Sequence, residues 1–197
     1  MWRILLLATV LLSRAAAAHE PAVLAAWLQH GPQGLELRAV VDGPGCPTMT
    51  VTPRGPSPQR VGGFGGKGLC VADLAGATAV RLPGRRLPAI PTTIERIVVI
   101  GDTGCRRETG KEPCDPSHWP FAAVAKAASR EHAQLVIHVG DYFYRDFDCP
   151  HAADPAVDEC DTWQTWKTDF FDHARPLLAE APWLFIRGNH EDCFGRP

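Results

Sequence analysis

Leu135-Val136-Ile137-His138-Val139-Gly140-Asp141-Tyr142-Phe143-Tyr144 is the stretch on which the fold turns. A mostly apolar run ends at a glycine, and an aspartate and a tyrosine follow at once. Buried parallel strands read as near-continuous apolar runs of this kind. In open α/β sheets, ligands bind just beyond the carboxyl ends of the strands. Asp141 and Tyr144 therefore stand where such a sheet does its chemistry. The design occurs twice more, in Ile97-Val98-Val99-Ile100-Gly101-Asp102 and in Trp183-Leu184-Phe185-Ile186-Arg187-Gly188-Asn189-His190-Glu191.

Helical patterns separate the three runs. Ser117 and Pro120 mark a helix start. Phe121, Val124, Ala125 and Ala128 then recur at roughly helical spacing to about His132. Trp163, Trp166, Phe170 and Phe171 form the apolar stripe of a second helix, read as core rather than a ligand cage. A kink or restart is expected at Pro176. Strands alternating with helices imply parallel pairing and right-handed crossovers. That topology brings Asp102, Asp141 and Asn189 to one edge of one sheet. The acidic loop from Arg145 to Asp161 lacks EF-hand spacing and reads as a solvated loop.

The N-terminal half reads differently. Arg3, the nine-residue apolar stretch Ile4 to Leu12 and Ala16-Ala17-Ala18 have the layout of a secretory signal peptide covering residues 1–18. That stretch is too short to span a bilayer, so no stable membrane anchor is expected. The expected location is secreted or periplasmic. Residues 19–92 are rich in Gly and Pro. Leu35 to Val41 and Thr48 to Val51 suggest a small β-rich module, closed by a Pro-rich linker around Leu87 to Pro91. Gly62-Gly63-Phe64-Gly65-Gly66-Lys67 lacks P-loop spacing and reads as a turn. Residues 93–197 form the second region.

Seven cysteines fit an exported chain, where disulfides are the default. Proximity in sequence suggests Cys46–Cys70, Cys105–Cys114 and Cys149–Cys160, with Cys193 left over. Loss of Arg3 and Arg14 with the leader takes the formal charge from −2 to −4, so no nucleic-acid partner is expected.

Two carboxylates, a phenol and an amide are hard oxygen donors suited to hard di- and trivalent cations. A two-metal site clamps the attacking and leaving oxygens of a displacement and acidifies a bound water. Either aspartate alone would read as a turn residue. Together, Gly101-Asp102-Thr103-Gly104, Gly140-Asp141-Tyr142-Phe143-Tyr144 and Gly188-Asn189-His190-Glu191 resemble, in order, the first three motifs of the calcineurin-like metallophosphoesterases. The forms GDxG, GDxxY and GNHE resemble the purple acid phosphatase branch most closely. The resemblance covers residues 95–197.

The resemblance implies an α/β fold: the β-α-β-α-β half of a metallophosphoesterase sandwich, behind the small β-rich module. It implies that Asp102 and Tyr144 bind one metal, Asp141 bridges two and Asn189 binds the second. His190 would contact the phosphate or protonate the leaving group, with Glu191 behind it. The implied cofactors are two metal ions, iron paired with iron, zinc or manganese. A ferric ion on Tyr144 would give a visible charge-transfer band. The implied substrate is a small phosphate ester.

Two further family motifs, a single His and a His-x-His pair, have no counterpart after Asn189. His19, His30, His118, His132, His138, His151 and His173 do not follow strands as those motifs require, and read as packing or surface residues. The chain is accordingly expected to be the N-terminal part of such an enzyme, with one sheet face left apolar and bare. The alternative is an inactive binding module that keeps half of the metal site. A dinucleotide-binding protein fits poorly, because Gly101-Asp102-Thr103-Gly104 is not the G-x-G-x-x-G fingerprint.

Overall fold

The computed structural model describes residues 20–105, 119–144 and 162–190. The strands are β1 (Ala22–Gly31), β2 (Gly34–Asp42), β3 (Thr50–Thr52), β4 (Gln59–Phe64), β5 (Lys67–Asp73), β6 (Ala79–Arg81), β7 (Ile97–Ile100), β8 (Leu135–His138) and β9 (Trp183–Phe185). Seven of them form one mixed sheet in the order β4-β5-β2-β1-β9-β8-β7, and β3 pairs with β6 in a separate ribbon. The three apolar runs are β7, β8 and β9, paired in parallel as expected. The α/β character expected of the chain is present.

The β-rich N-terminal region does not stand apart from this sheet. Strand β1 lies parallel to β9, with Gln29 opposite Trp183. Its other edge continues antiparallel through β2, β5 and β4. Strand alternation assigns the two faces. Trp27 and Val40 point to the helix side. There they join Val136, Trp183, Phe121, Phe170, Phe171 and Leu177 in the main core. Leu28 and Leu37 point the other way, onto Met49, Val51 and Val80 of the β3–β6 ribbon region. The Pro-rich stretch is part of this packing, since Leu87 and Ile90 lie against the same cluster.

Among the described residues, the β3–β6 ribbon region covers this face at β1, β2 and β5. On the same face, Ile97 is 48% exposed, Val99 61% and Val139 51%. Their neighbours Val98, Ile100 and Val136 meet the helices instead. Among the described residues, this part of the sheet is apolar on both faces and covered by helices on one.

The helices differ in detail from expectation. Helix α1 (Phe121–Ala128) starts behind Pro120 but ends earlier, passing into a 3-10 turn at Ser129–Glu131. Ser129 Oγ donates to the Lys126 carbonyl at 3.0 Å, a local bond that competes with the helical ladder. His132 then closes the turn in the left-handed region at φ 50°. Helix α2 (Trp163–Trp166) opens on a capping box between Thr162 and Thr165. The irregularity expected at Pro176 lies upstream. Lys167–Phe171 is a π turn, and α3 (Asp172–Leu178) contains Pro176 without interruption. The wider turn lets three consecutive residues, Asp169, Phe170 and Phe171, all be buried. Trp163 and Phe170 are core, as the stripe implied, and Trp166 stacks on Phe143 with ring centroids 4.3 Å apart.

Gly65 and Gly66 form the β4–β5 turn with φ of 54° and 75°, a hairpin rather than a phosphate loop. Cys46 and Cys70 are joined as expected. Cys105 is also disulfide-bonded; Cys114, Cys149, Cys160 and Cys193 lie outside the described residues. So do residues 1–18 and the acidic loop. No helix among the described residues is long and apolar enough to cross a membrane.

Candidate metal centre

Strands β7, β8 and β9 end level with one another, Ile100 opposite His138 and His138 opposite Phe185. The chain leaves each strand into a loop, and backbone hydrogen bonds carry the sheet pattern into the first residues of those loops. Val139 N donates to Ile100 O at 2.9 Å, Ile186 N to His138 O at 2.8 Å and Asp102 N to Gly140 O at 3.0 Å. Gly104 N then reaches Asp141 O, also at 3.0 Å.

Asp102 and Asp141 both adopt left-handed backbone conformations, with φ of 53° and 58°. Non-glycine residues are uncommon there and Asp is among the more tolerant. Two such residues side by side at strand ends are the kind of local strain that collects at functional sites. The glycines around them are required by close approach. A Cβ on Gly188 would lie 2.0 Å from Asp141 Oδ1. The third motif therefore rests directly on the aspartate of the second.

The side chains converge in the same way. Tyr144 donates its hydroxyl to Asp102 Oδ1. His190 donates its backbone N–H to Asp141 Oδ1 at 3.2 Å, and its ring lies 4.2 Å, centroid to centroid, from that of Tyr144. Tyr144 is buried, Asp141 and His190 are half-buried, and Asp102 and Asn189 are exposed. Asp102, Asp141, Tyr144, Asn189 and His190 thus occupy one end of the sheet, whereas Glu191 lies outside the described residues. Tyr142 turns away into the core face, 5.7 Å from Phe185 and 5.9 Å from Trp166 by ring centroids.

The donor chemistry fits hard cations. The described residues hold no group of three or more His, Cys, Asp or Glu placed to hold a metal ion. The carboxylates are instead supplemented by a phenol and an amide.

His138 and Thr103 are site residues that the sequence reading passed over. His138 is fully buried in β8. Its Nδ1 accepts the Gly140 backbone N–H at 3.2 Å, so its proton sits on Nε2, which is 2.7 Å from Thr103 Oγ1. The only sequence signal was a histidine inside an otherwise aliphatic strand. Among the other described histidines, His132 pairs with Glu180 and His173 packs on Trp119. His30 has a buried Nε2 without a partner among the described residues. His19, His118 and His151 lie outside them.

Burial lowers the His138 pKa from 6.5 to about 4, opposed in part by the Asp141 charge. The unfolded chain therefore takes up a proton at a higher pH than the folded one. This contribution to stability is complete above pH 6.5, declines as pH falls from 6.5 to about 4, and changes no further below that. Between pH 7 and 5 the loss is about 2 kcal/mol. Denaturant unfolding in the presence of chelator at the two pH values should show it in the native chain and not in His138→Gln. Identical pH slopes in the two proteins would contradict it.

Residues 95–197 match the family model described as calcineurin-like phosphoesterase. No curated protein matches the chain.

Proposed function

Because the chain belongs to the calcineurin-like phosphoesterase family, a family of metal-dependent hydrolases, we propose that its strand-end loops supply ligands of a dinuclear phosphoesterase centre of the purple acid phosphatase type. The observation that carries this is the convergence of three strand-end loops on Asp141, with Gly104, Gly188 and His190 all in contact with it. Asp102 and Tyr144 would hold one cation, Asn189 a second, and Asp141 both; iron with iron, zinc or manganese suits this donor set. Bound there, such cations neutralise phosphoryl charge and acidify an attacking water.

The protein's own groups divide the remaining work. Tyr144 donates its hydroxyl to Asp102 Oδ1, a proton the pair would give up on serving as ligands. Asp141 keeps the loops in register through its carbonyl and its Oδ1. His190, half-buried against Tyr144, contacts a phosphate oxygen or hands a proton to the leaving group. Glu191 would support it. The substrate class is a small phosphate ester, and the leader-like residues 1–18 support export.

The test is hydrolysis of p-nitrophenyl phosphate by the chain with and without added Mn²⁺ or Fe²⁺. A metal-dependent rate abolished by chelator is expected. A rate indifferent to chelator, or no metal uptake at all, would overturn the reading.

A further inference from the structure

We infer that His138 and Thr103 form a positioning pair that sets the spacing of the two metal-binding aspartates. The inference rests on the metal-site reading above and extends it to residues that bind neither metal nor substrate.

Asp102 and Asp141 sit on separate loops, and both loops are held by the His138 imidazole. One nitrogen, Nδ1, accepts from Gly140 N, the peptide immediately before Asp141. The other, Nε2, donates to the hydroxyl of Thr103, the residue immediately after Asp102. The ring itself cannot shift. It is enclosed by Tyr142 at 5.2 Å, Phe170 at 6.2 Å, Trp183 at 6.2 Å and Phe185 at 6.3 Å, centroid to centroid. Thr103 is fixed from its other side, where its carbonyl accepts from Trp119 Nε1 at 2.9 Å. Two buried hydrogen bonds, one at each nitrogen of a single rigid ring, therefore span the gap between the two aspartate loops. Leucine or valine would fill the same space in β8 without making either bond.

Residues that orient metal ligands without touching the metal commonly change metal affinity by about 10–100-fold when removed. The experiment titrates Mn²⁺ into the native chain, Thr103→Val, Thr103→Ser, His138→Gln and Asp141→Asn, with the melting temperature of each metal-free protein measured in parallel. Thr103→Val keeps the buried shape but leaves the His138 Nε2–H without its acceptor, so it should fold with a melting temperature lowered by several degrees and bind Mn²⁺ about 10–100-fold more weakly. Thr103→Ser restores the hydroxyl and should restore the affinity. His138→Gln should weaken binding, and adding Thr103→Val to it should weaken binding no further, because the two residues form one link. A merely structural pair would lower the melting temperature and leave Mn²⁺ affinity alone, and that result overturns the inference. Asp141→Asn separates the two readings. Native affinity in Asp141→Asn removes the metal site itself. Loss of binding there with native affinity in Thr103→Val removes only the positioning role.

Discussion

Asp141→Asn is expected to lower the metal-dependent hydrolysis of p-nitrophenyl phosphate by about a thousand-fold or more, equivalent to roughly 4 kcal/mol of transition-state stabilisation. The substitution is nearly isosteric. The amide oxygen still accepts the His190 backbone N–H that Asp141 Oδ1 accepts now, and the backbone bond from Gly104 N to Asp141 O is untouched. Asn also tolerates the left-handed conformation at φ 58°. What disappears is one negative charge at the point where three loops meet, and with it the capacity to hold two cations at once. The fold should therefore survive while rate and Mn²⁺ affinity collapse together. A variant within tenfold of the native rate would show that Asp141 is not the bridging ligand.

Gly140→Ala should be the most damaging single methyl group in the site, costing about 3 kcal/mol or more. Gly140 has φ 101°, a region L-residues rarely enter, and its added Cβ would lie 2.3 Å from Gly188 N and 2.4 Å from Gly188 Cα. Those atoms belong to backbone, so no rotamer change relieves the clash. The loops carrying Asp141 and Asn189 would have to separate. Gly76→Ala supplies the comparison, because Gly76 also has positive φ, at 72°, but a Cβ there meets nothing within 4 Å. It should cost only about 1 kcal/mol, the conformational part alone. Equal losses in the two variants, read from denaturant unfolding, would remove the argument that these loops are in obligatory contact. The larger loss at Gly140 should also be accompanied by weaker Mn²⁺ binding, which Gly76→Ala should leave unchanged.

The three strand ends were legible before any coordinates because their signals are local. An apolar run says buried strand, a glycine says close approach, and the residue after it inherits the sheet edge. Asp102, Asp141, Tyr144 and Asn189 are read in this way and His190 through the family resemblance, and all five lie at one end of the sheet. The disulfide between Cys46 and Cys70 followed from proximity in sequence. Strand β1 was missed for the opposite reason. Ala22–Gly31 is a mostly apolar run without strict alternation, and its parallel partner β9 lies some 150 residues further along the chain, a pairing no local pattern announces.

The π turn at Lys167–Phe171 was equally hidden, since the same residues satisfy an ordinary helical spacing and only packing against the sheet selects the wider turn. His138 shows the limit most clearly. In the strand it looks like one more inward-facing residue, because its character depends on Thr103, 35 positions away, and on the direction of the Gly140 N–H. The sequence by itself determined which residues are available for chemistry and on which edge of a parallel sheet they stand, because strand, glycine and ligand are neighbours in the chain. Only the tertiary structure decided what holds those residues apart and in register. That spacing comes from contacts between loops and from a buried ring, and hydrogen bonds between distant segments leave no periodic trace in the sequence.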